Sequence, residues 1–329
     1  MTVLVCGGAG YIGSHAVAQL LDRNEKAVVV DNLQKGHGEA ILDGVTFCHG
    51  DLRDQAFLDR VFQENEIHSV IHFAADSLVG ESVEDPLQYY DNNVYGATCL
   101  LKAMARHEVK QIVFSSTAAV YGEPEHVPIQ EDDRAVPTNP YGETKLAIEK
   151  MLQWAEQAHG IKHVVLRYFN VAGADPDGRI GEDHRPETHL IPIVLQVAQG
   201  KREKIMIFGD DYPTEDGTCI RDYIHVNDLV DAHLLAIDKL ESDGESAIYN
   251  LGNGRGFSVK EVIDTARRVT VHPIPAEVSP RRPGDPAQLV ASSEKAIKEL
   301  GWKPKYKGLD PMIQTAWDWF RAHPDGYEK

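Results

Sequence analysis

TVLVCGGAGYIGSHAVAQLLDRNEKAVVVD, residues 2–31, decides the fold. Two β-branched runs, TVLVC and AVVVD, flank a helical pattern near 11–23, and a glycine-rich turn joins the first run to that helix. Gly7, Gly10 and Gly13 are spaced G-x-x-G-x-x-G, one step different from the commoner G-x-G-x-x-G. The physical need is the same: a tight turn, close backbone approach to a pyrophosphate, and a helix N-terminus aimed at it. Glycines alone would also make a plain turn, but the strand-loop-helix setting favours a dinucleotide site. Asp31 ends the second run, about 20 residues after the glycines, where a carboxylate accepts hydrogen bonds from an adenosine ribose. It would repel a 2′-phosphate, so NAD is expected over NADP; the competing reading is a strand-end Asp capping a turn. Asp51 in HGDLRD ends another run, and reads either as an acceptor for the adenine amine or as the N-cap of the next helix.

Working outward, the alternation continues to about residue 168. Strand patterns VTFCH, SVIHFA, KQIVFSS and KHVVLRYF are separated by helical patterns near 54–65, 86–107 and 141–159. Apolar strands alternating with helices predict an α/β fold, a Rossmann-type doubly wound parallel sheet covered on both faces. After Asn170, VAGADPDGRIGEDHRPET reads as a long loop, of the kind often functional in enzymes. Further helices are expected at IPIVLQVAQG, VNDLVDAHLLAIDKL, SVKEVIDTARRV and DPMIQTAWDWFRA, and strands at IMIFG and AIYNLG. The expected division is a nucleotide-binding unit over 1–170, rejoined at about 219–252, and a smaller mixed α/β substrate-binding unit over 171–218 and 253–329.

At 329 residues, 42% hydrophobic and 26% charged, the composition is that of an ordinary globular protein. Lys and Arg total 33 against 51 Asp and Glu, a net charge of −18, which argues against nucleic acid as a partner. Cys6, Cys48, Cys99 and Cys219 form no CxxC pair, so neither a disulfide framework nor a zinc site is indicated. No signal leader and no run of about 18 apolar residues is evident, so a cytoplasmic protein without a membrane partner is expected.

FSSTAAVYG, residues 114–122, closes the fifth strand pattern, placing Ser115, Ser116 and Thr117 at a strand's carboxyl end, where open parallel sheets bind ligands. Hydroxyls there commonly just brace a loop. Downstream, NPYGETKLAIEK (139–150) starts a helix at Pro140 and puts Tyr141 and Lys145 four apart on one face. They could be a surface pair. Beside a dinucleotide, the lysine and an oxidised nicotinamide would each favour the phenolate, making Tyr141 a base for a substrate hydroxyl.

The ordered set GGAGYIG, FSSTAAVYG, Tyr141-x-x-x-Lys145 and RYFN resembles the extended short-chain dehydrogenase/reductase family. DYPTEDGTCIRDYIHVNDL and RRPGD narrow the resemblance to its NAD-dependent sugar-nucleotide epimerases, over nearly the whole length. The resemblance implies interconversion of UDP-galactose and UDP-glucose by transient oxidation at C4, with Thr117, Tyr141 and Lys145 catalytic. It implies cofactor contacts at Tyr11, Ile12, Asn32, Leu52, Phe73 and Ala74, and also at Ala75, Asn92, Ser115 and Tyr168. Substrate contacts are implied at Asn170, His189, Leu190, Met206, Phe208, Arg221, Arg282, Asp285 and Leu289. Arginine suits bidentate phosphate binding, although Arg221 and Arg282 could be surface ion pairs, and Leu190 and Phe208 could simply be core. The family is usually a homodimer joined through helices equivalent to 90–107 and 141–159.

Related dehydratases place an Asp-Glu pair after the Thr; Ala118 and Ala119 stand there instead, so elimination is not expected. Three departures from the epimerase pattern stand out: His189 where many members carry Asn, Ser77 where many carry Lys, and Leu289 where narrow-specificity bacterial members carry Tyr. The last would leave room for an N-acetyl group, extending the substrates to UDP-N-acetylhexosamines. The alternatives are an epimerase for UDP-glucuronate or UDP-pentoses, and an NAD-binding sensor without turnover. GEDHRPETH (181–189) could be read as a metal site, but its spacing matches no zinc pattern; a solvated loop and no required metal are expected.

Overall fold

A computed structural model describes residues 1–282 and 285–327. The strands β1 (Thr2–Cys6), β2 (Lys26–Asp31), β3 (Thr46–His49), β4 (Ser69–His72), β5 (Gln111–Ser115) and β6 (Lys162–Tyr168) are short apolar runs. With Ala247–Leu251 they form one seven-stranded sheet, ordered Ala247–Leu251, β6, β5, β4, β1, β2, β3. Every pairing in it is parallel. Its central strands are buried on both faces, which is why they read as continuous rather than alternating apolar runs.

On one face lie Tyr11–Asp22 and Val226–Ser242, contributing Ala16, Val17, Leu20, Leu229, Val230 and Leu240 to a shared core. On the other lie Gln55–Glu64, Gly96–Arg106 and Pro140–His159, contributing Leu58, Phe62, Leu100, Met104, Ile148 and Leu152. This is the doubly wound arrangement expected. The strand order reverses between β1 and β4, the switch point at which such sheets open a crevice. The helix read at 86–107 differs in one respect: a wider, π-type turn at Tyr90–Tyr95 interrupts its regular winding.

A further core joins Leu190–Ala198, Val259–Thr270 and Leu309–Ala322, built on Val194, Leu195, Ile263, Ile313 and Trp319. Four short strands here carried no clear sequence signal: Ile220–Arg221, Phe257–Ser258, Ala276–Ser279 and Gln288–Leu289. Strands of two to four residues show too few alternations for period to register.

Candidate active site

Gly13 sits so close to the turn that a Cβ there would lie 2.0 Å from the Gly7 carbonyl oxygen. Gly7 itself has φ +82°, and a Cβ there would meet the Ala74 amide at 2.7 Å. The chain must therefore be bare at both positions for β1, the turn and Tyr11–Asp22 to fit against β4. No side chain caps that helix and no acidic residue occupies its first turn, so its leading N–H groups are free for an anion. Asp31 is buried at the end of β2, accepting from the Ala9 amide at 3.0 Å and the Leu33 amide at 2.8 Å. Burial pushes its carboxyl above the ordinary range. Asp51 is not the N-cap of the next helix; Asp54 is, accepting from the Phe57 amide. Arg53 grips both Asp51 oxygens at 2.8 and 2.9 Å, with Asn32 at 3.0 Å, and holds its carboxyl well below the usual range.

These groups open onto a cleft of about 1180 Å³ at the switch point. Every residue expected to touch the cofactor borders it: the glycine turn with Tyr11 and Ile12, Asp31 and Asn32, Asp51 and Leu52, Phe73 to Ala75, Asn92, Ser115, Tyr141, Lys145 and Tyr168. A bare turn, an uncapped helix start and a buried ribose-side carboxylate fit a dinucleotide without a 2′-phosphate.

The chemical end lies where β5 meets the helix Pro140–His159. Asn139 caps that helix by accepting from the Gly142 amide at 2.9 Å, and Pro140 occupies its first turn. Lys145 is 3% exposed, and its Nζ donates to the Ser115 carbonyl at 2.9 Å. The three hydroxyls at the carboxyl end of β5, Ser115 to Thr117, do not all face the cleft. In extended backbone they alternate: Ser115 bonds the Tyr168 hydroxyl, Ser116 turns inward to Glu149 at 2.5 Å, and Thr117 remains beside the Tyr141 phenol. Burial pushes Tyr141 up to about 12, opposed by its hydrogen bond with Thr117. Burial also pulls Lys145 down to about 7, opposed by the Glu149 charge. In the protein alone burial therefore sets the direction at both groups, up for Tyr141 and down for Lys145, with Thr117 and Glu149 opposing it.

Sequence reasoning missed what lies behind Lys145. Glu149, one helical turn on, accepts from Arg167 at 2.6 and 3.1 Å, and Arg167 donates to Tyr121 at 2.8 Å. The i, i+4 spacing of Lys145 and Glu149 was the available signal.

On the far wall, Asn170 donates to the Asp222 carbonyl at 3.0 Å. Arg221 pairs with Asp285 at 2.6 Å, and Leu289 lies beside Arg221 in strand register. Asn170, His189, Arg221, Arg282, Asp285 and Leu289 border the cleft, whereas Leu190, Met206 and Phe208 do not. Phe208 is nonetheless held to it through Arg282, whose guanidinium lies 4.0 Å over the ring. Leu190 packs against the core of the smaller unit. Pro283 and Gly284 of RRPGD lie outside the described residues. GEDHRPETH is no solvated loop: the Glu182 and Glu187 carboxylates are buried and contact both His184 and His189. Burial alone would discharge the histidines, but these carboxylates hold His184 up at about 9 and His189 at about 10.

Residues 3–252 match the NAD dependent epimerase/dehydratase family. The chain belongs to that family. It is 65% identical over 327 residues to a UDP-glucose 4-epimerase of Halalkalibacterium halodurans, covering 99% of this chain and 98% of the relative. Its fold matches a crystal structure of a UDP-glucose 4-epimerase at TM-score 0.99 and 63% identity, with full coverage of both chains. A Bifidobacterium longum UDP-glucose 4-epimerase solved with NAD+ and UDP matches at TM-score 0.94 and 44% identity, over 99% of this chain and all of that one. The NAD expectation and the fold expectation both hold against these findings. No helix among the described residues is long and apolar enough to cross a membrane.

Proposed function

We propose that this chain is an NAD-dependent UDP-glucose 4-epimerase, interconverting UDP-galactose and UDP-glucose. The observation that carries the reading is the meeting of Thr117, Tyr141 and Lys145 at one end of a dinucleotide-shaped cleft, with Ala118 and Ala119 following Thr117. Neither alanine can act as acid or base, which leaves this set without the means for elimination.

NAD, when bound, supplies the hydride acceptor and donor for sugar C4, so that a 4-keto sugar forms and is reduced again. The glycine turn and helix start hold the pyrophosphate, and Asp31 holds the adenosine ribose. Tyr141 takes the C4 hydroxyl proton and later returns it. Thr117 orients that exchange through its hydrogen bond to the phenol. Lys145 keeps two donors beyond the one it gives Ser115, and it borders the cleft in which the cofactor would lie. Arg221 and Arg282 anchor the UDP phosphates while the sugar turns over to present its other face. Discarding NAD between half-reactions would strand the keto sugar, so the cleft must hold both ligands at once.

We divide the chain as expected from its pattern, into a cofactor unit over 1–170 with 219–252 and a sugar-nucleotide unit over 171–218 and 253–329. A homodimer is supported by apolar side chains left in solvent along the helices of one flank: Leu87 at 78% and Trp154 at 68% exposure, with Tyr90 and Tyr95. Four free cysteines suit the cytoplasm.

The test is to incubate the purified protein with UDP-galactose, without added nucleotide, and follow the anomeric signals by NMR. UDP-glucose should appear. No conversion even after NAD is added would overturn the reading.

A further inference from the structure

Glu182, His184, Glu187 and His189 bring one donor atom each to within 4.8 Å of one another. They all lie in the closing part of the loop between the strand Asn170–Ala172 and the helix Leu190–Ala198. The donor atoms are close enough to share one ligand. Glu182 Oε1 lies 3.0 Å from His184 Nδ1 and 3.1 Å from His189 Nδ1. Glu187 Oε1 lies 3.0 Å from His189 Nδ1, and Glu187 Oε2 lies 3.7 Å from His184 Nδ1. Zinc bonds of roughly 2.0–2.2 Å to nitrogen and oxygen set tetrahedral ligands about 3.3–3.6 Å apart. The four donors straddle that spacing with the two-nitrogen, two-oxygen set that a borderline cation accepts.

A second observation points the same way. Glu182 is 3% exposed, and its Oε1 makes no hydrogen bond. Nor does His184 Nδ1, although the two atoms are only 3.0 Å apart. Both are buried, so neither deficit is made good by bulk water. That contact is relieved by a proton on His184 or, in the proton's place, by a shared cation. By contrast, His189 Nδ1 and Glu187 Oε1 are already hydrogen-bonded, and the Thr188 and His189 amides fix Glu187 in place. The Tyr11 ring meets His184 edge-on at 6.0 Å, which brings the cluster against the glycine turn.

We propose that Glu182, His184, Glu187 and His189 form a tetrahedral site for a zinc-class divalent cation that ties the 181–189 loop together as a wall of the cleft. The cation takes no part in proton or hydride movement, which falls to Tyr141 and the cofactor. The bound cation ties together the 182–189 stretch, which no regular secondary structure spans.

The experiment uses the full chain without a histidine tag, freed of metal with a chelator and dialysed. Titration with Co2+ is followed by visible absorption, and bound Zn2+ is counted by mass spectrometry after gel filtration. One equivalent per chain, with the intense absorption of tetrahedral Co2+, is expected. Glu182→Gln and His184→Ala should each lose that equivalent while far-UV circular dichroism stays unchanged. His184 is partly exposed on a loop, so His184→Ala carries the test if Glu182→Gln fails to fold. Substoichiometric uptake by the wild-type chain, or uptake unchanged in the variants, overturns the proposal and leaves the cluster as two carboxylate–histidine ion pairs.

Discussion

Glu149 stands one helical turn beyond Lys145 on the buried face of Pro140–His159, and its charge opposes the desolvation that pulls Lys145 down to about 7. The Lys145 ammonium exists below its pKa and is lost as pH rises through it. Glu149→Gln removes the opposing charge and lowers that pKa further. The alkaline side of the kcat profile should therefore move to lower pH, with the acid side unchanged. Glutamine can still accept from Ser116 and Arg167, so the fold should survive with reduced stability. Removing the pair's other half is harsher: Arg167→Met leaves a buried, unpaired carboxylate and should cost about 3–5 kcal/mol in denaturant melts. An unshifted Glu149→Gln profile would confine Glu149 to packing.

Tyr141→Phe removes the phenol proposed to exchange the C4 proton. A general base is worth about 10²–10⁴-fold, so kcat should fall by that order while bound NAD, read by its absorbance after denaturation, stays near wild type. Thr117→Val should cost less, because it only orients the phenol. Equal losses in both variants would mean that Thr117 itself carries the proton.

Gly13→Ala tests the cofactor turn by space alone. Its Cβ would fall 2.0 Å from the Gly7 carbonyl, a contact that forces the turn open. The variant should purify without NAD and show no turnover, with only modest loss of helix by circular dichroism. Retained NAD at wild-type occupancy would show that the turn can shift intact.

How far the sequence carried these conclusions differs by region. β1, β2 and β4 to β6 were visible because double burial forces continuous apolar runs, whereas β3 is a partly exposed edge strand; the glycine turn was visible because its geometry excludes side chains. Tyr141 and Lys145 were visible as an i, i+4 pair. The inward turn of Ser116 was not, since it depends on Glu149 and Arg167 meeting from different elements. Likewise, GEDHRPETH gave no hint that its carboxylates are buried, because the cluster packs against Tyr11, from the first helix far back in the chain. Long-range packing leaves no local period.

Arg221 is held ready by Asp285 at 2.6 Å rather than left free in solvent. A charge-assisted hydrogen bond contributes about 1.5–3 kcal/mol, so Arg221→Met should raise KM for UDP-galactose roughly tenfold to hundredfold. Because the phosphates do not change during the reaction, kcat should move far less. A loss confined to kcat would place Arg221 in the chemistry instead of the anchor.

Leu289 borders the cleft, beside Arg221 in the same small sheet. Its side chain is shorter than the Tyr of narrow-specificity members, and we propose that this gives room for an N-acetyl group. The wild-type chain should therefore turn over UDP-N-acetylgalactosamine as well as UDP-galactose. Leu289→Tyr should lower kcat/KM for the acetylated sugar by tenfold or more, an effect of about 1.4 kcal/mol, while sparing the plain one. Comparing the two substrates in both proteins separates pocket size from general damage. A wild-type chain inactive on the acetylated sugar would mean that another wall closes the space Leu289 opens.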